Sequence, residues 1–579
     1  MVTKSLTNIP QGRIDKTIIF IFPILITILN SNWIFSPISN YLPDPWFYVG
    51  YFRYFFDYAP EYPSNIHYFV ERLTWNIPGY LIYHVLPSLI ANYVLHLLVC
   101  YTALFSLYGI LNRFFGNRTA LLSTVLLCCY PWFLRAVGWD YVDGAGIALM
   151  LLMIYLFSKA QNITNWKAVL FLAGCVHAAL LITNLFWVGF APSWIVYYLS
   201  TNYPSTKDKL ARLVGEVAYF LMGNLALTLF CSIFYYSVTG DYFFLRHSVD
   251  YSHSLSQNEA VSNFIWTYYG SMPATWHIVP LLLVLSSIWQ FAQKRRDKSA
   301  FDPFLFKTFL FFVIGYGWLI TWHMMAQPYL MIFLYCSFAM PGTFLLLGPL
   351  LAEPLNKITD RQFNHILLVA AVFLLSPFYL VTKFPELEKI QGNPYFIAIA
   401  GIAIILCATR LIQRNTTTII VVALSILSFL GGGGANIFNP DPNNGKDHFL
   451  AIIEASDLID AYYPNRNYST FRFWYRKDEK YSTFYNLSTL YLYPWGSSLN
   501  RILSNKPPST VLAFDETDQF HDGDNIVILS SNANASQVLQ EANNALILRN
   551  AQVLLGHQYS LKEGSVNFEL YFTKLKLLP

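Results

Sequence analysis

Few residues in this chain could do chemistry, and they cluster at the ends of apolar runs. Asp44 heads the stretch Asp44-Pro45-Trp46-Phe47-Tyr48, and a carboxylate placed there could take a proton from an attacking hydroxyl. Asp before Pro before an apolar run is also how a helix begins, with Asp as N-cap and Pro at the first helical position. The two readings are compatible, because a capping carboxylate can still face a cavity. A second acidic site is Gly138-Trp139-Asp140-Tyr141-Val142-Asp143-Gly144. Two carboxylates three residues apart at a membrane boundary are costly unless paired or solvated, which makes them functional candidates. Asp143 also reads as the opening of a helix, whereas neither capping nor solubility accounts for Asp140.

The cations that could answer them are Arg53, Arg72 and Arg246. Arg72 sits in Tyr68-Phe69-Val70-Glu71-Arg72-Leu73, and Arg246 in Tyr242-Phe243-Phe244-Leu245-Arg246-His247. A guanidinium can hold phosphate oxygens through two parallel hydrogen bonds. The plainer reading of each is an anchor snorkelling to lipid head groups. Trp46, Tyr48, His67, Glu71, Trp139 and His247 are candidates for lining a substrate cavity beside these groups. His67, His247, His253 and His277 are too irregularly spaced for a zinc motif, and no metal or other cofactor is expected. The seven cysteines all lie in apolar runs, which indicates neither a disulfide framework nor a cysteine metal site.

What must position these residues is a membrane-embedded scaffold. Of 579 residues 55% are hydrophobic and only 12% charged, with a mean hydropathy of +0.40. Soluble domains carry about 25% charged residues, so a water-soluble class is excluded. Apolar runs long enough to span fall near 17–35, 80–111, 119–137, 143–158, 167–186, 187–200, 211–237, 277–293, 304–323, 328–350, 363–382, 394–410 and 415–431. That predicts an all-α polytopic protein of about thirteen transmembrane helices, the first a retained signal anchor. Lys and Arg concentrate on the side of Lys4, Arg13 and Lys16, with Arg113, Arg118, Lys159, Lys167, Arg212 and Lys357. The positive-inside rule makes that side cytoplasmic and puts the C-terminus outside.

The outer loops 36–76 and 240–276 are long and aromatic, which predicts short interfacial helices. After Gly431–Gly434 the sequence turns polar, with alternating segments at 469–475, 510–514, 525–530 and 566–572 and helical stretches near 447–461 and 535–547. Interleaved strands and helices predict an extracytoplasmic α/β domain over 432–579, following a transmembrane catalytic domain over 1–431.

Taken together, the layout resembles the GT-C superfamily of integral-membrane glycosyltransferases, which includes protein O-mannosyltransferases and lipid A aminoarabinose transferases. The resemblance covers nearly the whole chain: an acidic residue heading a long first outer loop, a second acidic site before the fourth span, a further long outer loop, and an extracytoplasmic C-terminal domain. It implies an inverting transfer of a sugar from a polyprenyl-phosphate donor to a lipid, glycan or protein acceptor, with no nucleic-acid partner, in a bacterial inner (plasma) membrane. By that resemblance Asp44 is the catalytic base. Asp140 or Asp143 then orients the acceptor or sugar, while Arg72 and Arg246, with Arg53, meet the lipid phosphate. Where the family often has a second acidic residue in its first-loop motif this chain has Pro45, which favours a single carboxylate over a metal site. Other classes are a transporter or flippase of lipid-linked glycans, and a non-catalytic assembly protein. The charges gather at outer loop ends, away from a membrane midplane, and no internal repeat is visible, which is not the pattern of a transporter.

Overall fold

A computed structural model describes residues 11–35, 44–60, 67–138, 142–160, 163–193, 206–250, 303–326, 338–384, 445–463, 471–475, 484, 487, 490, 522–530, 535–547, 550–564 and 566–578. Contacts group the chain into two compact units. One holds Met1–Ile34, Ile66–Trp75 and Val94–Asn439, and the other Phe35–Asn65, Asn76–Tyr93 and Pro440–Pro579. The second unit thus joins first-loop segments to the C-terminal region, which a boundary at 431/432 keeps apart.

The helices in chain order are α1 (Gln11–Leu29), α2 (Asp44–Tyr58), α3 (His67–Glu71), α4 (Leu73–Val85), α5 (Ser88–Phe115), α6 (Asn117–Cys128), α7 (Pro131–Gly138), α8 (Val142–Ala160) and α9 (Trp166–Thr183). They continue with α10 (Thr206–Thr239), α11 (Pro303–Ala326), α12 (Met340–Asn356), α13 (Asp360–Lys383), α14 (Lys446–Tyr462) and α15 (Ala535–Ile547). Among the described residues five helices are long and apolar enough to cross a membrane: α5, α8, α9, most of α10 and most of α13. The pair α6 and α7 makes a sixth candidate, bent by 62°. The runs at 277–293, 394–410 and 415–431 lie outside the described residues, as do parts of those at 187–200 and 328–350. The count of thirteen therefore stays an expectation.

Two runs that read as continuous are interrupted. The run at 80–111 is divided between α4 and α5 at Pro87, which supplies no N–H and pushes Leu86 away from helical angles. The run at 119–137 breaks at Tyr130, because Pro131 can begin a helix but cannot continue one. Side chains such as Leu221, Leu225, Phe230 and Ile233 on α10 and Leu368 and Val372 on α13 are exposed. Helices with satisfied backbones and apolar outer faces are what a bilayer accepts.

Two arginines at helix ends tie helices together within the first unit. Arg118 on α6 donates to the carbonyls of Leu355 and Ile358 at 3.0 and 2.5 Å and pairs with Asp360 at 2.5 Å. Arg113 at the end of α5 donates to the Ser158 carbonyl at the end of α8.

In the second unit a four-stranded sheet runs in the order β1 (Phe471–Tyr475), β2 (Asn525–Ser530), β4 (Val566–Leu577), β3 (Ala551–Glu563). β1 and β2 are parallel and the other pairs antiparallel. Adjacent residues on β4 point to opposite faces. Tyr571 joins Ile526, Ile528, Val538, Ala542 and Leu546 in a core beneath α15, while Phe572 stacks on Tyr462 of α14 with ring centres 4.7 Å apart. A helix therefore covers each face. The strand expectation at 510–514 lies outside the described residues.

Candidate active site

In the first unit the clearest constellation is built around Glu71, the last residue of α3. Its side chain is fully buried. One carboxylate oxygen accepts the backbone N–H of His247 at 3.0 Å, and the other accepts the N–H and hydroxyl of Ser248 at 2.8 and 2.5 Å. Those N–H groups belong to the first turn of a helical stretch starting at Arg246, where donors lack intrahelical partners and the helix dipole favours an anion. Burial pushes the Glu71 carboxyl above the usual glutamate range, and the bonds from Ser248 and His247 offset only part of that rise. Glu71 therefore acts as a buttress that ties the segment 67–71 to the segment 241–250.

Around it the second loop is ordered by its own polar groups. Asp241 accepts the Phe243 N–H at 2.9 Å through one oxygen and faces His247 Nε2 at 3.1 Å through the other. Leu245 has a φ of 68°, a left-handed conformation rare for leucine and held only where surroundings dictate it. That turn delivers Arg246 to the start of the helical stretch. Arg246 is exposed, lies over the Phe243 ring at 5.6 Å and is 3.5 Å from exposed Asp250. Arg72 follows Glu71 directly, and its guanidinium lies over the rings of Tyr68 and Phe69 at 5.2 and 5.6 Å. Both arginines thus flank the Glu71 bridge by chain position, each placed against aromatic rings that restrict its fan of rotamers.

Asp143, in the first turn of α8, is 3% exposed and accepts the side-chain N–H of Asn184 at 3.0 Å. The same Asn184 accepts the Phe186 N–H at 3.1 Å, closing α9 and opening a 3-10 turn over Leu185–Phe190. Asp143 is thus a buried carboxylate held in a defined orientation, which the capping reading alone does not require. Gly138 and Gly144 bracket the site, Gly138 packed against the backbone at Trp33 and Gly144 against α7, neither with room for a side chain. A Cβ at Gly138 would collide with the Trp33 carbonyl, and one at Gly144 with the backbone of Ala136 and Val137. Arg135, buried on α7 and 5.4 Å from the Trp132 ring, adds a cation at this turn. Trp139 and Asp140 lie outside the described residues.

In the second unit, α2 starts at Asp44, where the Asp-Pro signal puts a helix start. The side chains of Asp44 and His67 lie outside the described residues. Trp46 and Tyr48 are buried, and Trp46 stacks on Phe449 of α14 at 6.0 Å. α2 kinks at Tyr54, with φ −135° and ψ 33°. The Tyr54 hydroxyl there donates to Asp460 at 2.6 Å and lies 2.8 Å from Ser456 Oγ. Arg53 pairs with Asp457 at 2.5 Å, lies 3.7 Å from Asp460 and bonds the Tyr54 oxygen at 3.0 Å. The structure therefore gives Arg53 carboxylate partners on α14.

Sequence reading singled out Glu71 and His247 but not the bond that joins them to one frame, nor Asn184, Ser248, Tyr54 or Asp460. Asn184, ahead of Leu185-Phe186-Trp187, carried a capping signal. Among the described residues no group of three or more His, Cys, Asp or Glu side chains could hold a metal ion.

No protein-family model matches the chain, and no curated protein matches it. Among solved structures it is similar to ArnT from Cupriavidus metallidurans bound to undecaprenyl phosphate, with a TM-score of 0.52 and 13% identity, over 98% of each chain. The apo state of that protein aligns at a TM-score of 0.46 and 14% identity, over 97% of this chain and 98% of that one. An oligosaccharyltransferase from Archaeoglobus fulgidus, in complex with zinc and sulfate, aligns at 0.33 and 12% identity, over 77% of this chain and 56% of that one. The likeness to the first is one of fold, and it extends from end to end: the chain has an ArnT-like fold.

Proposed function

We propose that this chain is a membrane glycosyltransferase that moves a sugar from a polyprenyl-phosphate donor to an acceptor hydroxyl on the outer face of the membrane. The observation that supports it most is the end-to-end likeness in fold to ArnT, crystallised with undecaprenyl phosphate. In this reading the acceptor oxygen forms a bond to the anomeric carbon while Asp44 takes the hydroxyl proton. The bond from that carbon to the phosphate oxygen breaks, the electron pair leaves with the lipid phosphate, and configuration inverts. Asp143, fixed by Asn184, orients acceptor or sugar, with Asp140 beside it in sequence. Arg72 and Arg246 neutralise charge on the departing phosphate. The N-terminus lies inside and the C-terminal region outside.

General-base help of this kind is worth roughly 10²- to 10⁴-fold, and electrostatic stabilisation of the leaving group is usually the larger contribution. The test is transfer of radiolabelled sugar from polyprenyl-phosphate donors by purified wild type and by Asp44→Asn, matched for thermal stability. Asn caps a helix as well as Asp, so a pure capping role predicts full activity in the variant. Loss of at least a hundredfold supports Asp44 as the base, whereas wild-type turnover removes it from that role. Absence of transfer by the wild type from every donor tried counts against the reading as a whole.

A further inference from the structure

At a positively charged end of the first unit lies a cavity of about 460 Å³. Lys16 of α1, Tyr108, Asn112 and Arg113 of α5, and Tyr155 and Lys159 of α8 line it. Three cations from three helices therefore share one space. Arg113 is oriented by its bond to the Ser158 carbonyl, which takes part of a five-donor fork. The Lys159 ammonium lies 4.8 Å from the Tyr155 ring centre, and both lysines are exposed. Among the described residues neither Lys16 nor Lys159 has a carboxylate within ion-pair distance. The acid next in sequence, Asp15, is buried and accepts the Tyr108 hydroxyl at 3.0 Å.

Like charges brought around one cavity repel unless a counter-ion joins them, and the donor set here is ammonium, guanidinium, amide and phenol. Its donors are chiefly the ammonium and guanidinium N–H groups, because the Tyr108 hydroxyl is given to Asp15. That chemistry suits a tetrahedral oxyanion. Basic pockets between membrane helices on the cytoplasmic side are suited to anionic head groups.

We propose that this cavity binds a phosphate group, carried by an anionic phospholipid of the inner leaflet or by a soluble phosphate. The test uses full-length protein in detergent and native mass spectrometry, with phosphatidylglycerol, phosphatidylcholine and inorganic phosphate as probes. The wild type is expected to retain phosphatidylglycerol over phosphatidylcholine. The double substitution Lys16→Gln/Lys159→Gln is expected to weaken that retention roughly thirtyfold, about fivefold per lysine. Asn112→Asp, which keeps the volume but adds a negative charge that repels a phosphate, is expected to weaken it too, so the outcome does not hang on one variant. Displacement of the lipid by millimolar inorganic phosphate identifies a soluble ligand, and resistance to displacement identifies the lipid. The proposal fails if the wild type shows no preference for phosphatidylglycerol and binds no inorganic phosphate, or if folded variants bind as the wild type does.

Discussion

The backbone N–H of Ser248 points at the carboxylate of Glu71, 2.8 Å away and 177 residues earlier in the chain. This bond, with those from the His247 N–H and the Ser248 hydroxyl, makes one frame of the loop segments that carry Arg72 and Arg246. Glu71→Gln keeps the size of the side chain but turns an amide N–H₂ toward at least one donor. Leaving such a buried donor unmatched costs about 1–3 kcal/mol. The expected outcome is faster hydrogen exchange over 241–250 and a raised KM for the lipid donor. Exchange and KM both at wild-type values would show that the bridge does not position the arginines.

The same bridge has a pH signature. Burial raises the Glu71 carboxyl above its unfolded value, so between those two values the folded state holds a proton that the unfolded state has released. Its contribution is fully present below the ordinary glutamate range and is lost as pH rises through the raised value. His247, which acts to lower that value, and Tyr235 and Asp241 are the titratable groups nearby. Melting in detergent should show a small fall in midpoint as pH rises through this window, and Glu71→Gln should flatten it. An unchanged slope in the variant assigns the effect to another group.

Arg72 tests whether charge alone is at work. Lysine keeps the positive charge but loses the planar fork and much of the stacking over Tyr68 and Phe69. Arg72→Lys is therefore expected to raise the donor KM several-fold, since a cation–π contact of this kind is worth about 0.5–2 kcal/mol. Arg246, more exposed, should show the stronger dependence on ionic strength when neutralised. Initial rates at low and high salt separate the two.

What was legible in the sequence is what local chemistry decides. The Asp44-Pro45 pair announced a helix start and α2 begins there, because capping and the fixed φ of proline act within a turn. Gathered charge at Lys16, Arg113 and Lys159 announced a common side, because lipid-water partitioning acts on whole loops. The Glu71–Ser248 and Asp143–Asn184 bonds join residues 177 and 41 positions apart, and nothing local records such a pairing. Strand β3 was missed for a related reason. Its Gln552, His557, Gln558 and Lys562 blur the alternation, and pairing with β4 from Ala551 to Glu563 holds it instead.

Within the second unit Arg53 and Tyr54 make opposite predictions from adjacent positions. Asp457, the nearer partner of Arg53, is largely exposed, and exposed pairs contribute about 0–1 kcal/mol. The Tyr54 hydroxyl lies between Asp460 and Ser456, and its loss costs about 1–3 kcal/mol by leaving Asp460 short of a donor and the Ser456 hydroxyl short of an acceptor. Tyr54→Phe should lower the melting midpoint more than Arg53→Gln does. If Arg53 instead contacts lipid phosphate, Arg53→Gln raises the donor KM while the midpoint holds. Melting and kinetics on the same two variants decide between these roles.

Asp143 takes its orientation from the Asn184 amide, which also closes a helix. Asn184→Ala removes two bonds at once: the cap on the Phe186 N–H and the donor to Asp143. Loss of the cap alone costs about 0.5–2 kcal/mol of stability. Asn184→Asp keeps an acceptor for Phe186 but sets two carboxylates against each other where Asp143 is 3% exposed. Like charges that close favour protonating one of the pair, so its activity should recover as pH is lowered. Asn184→Ala should instead show a reduced kcat that pH does not restore. If both variants lose stability and activity in equal proportion at every pH, Asn184 serves only the helix and Asp143 needs no partner to act.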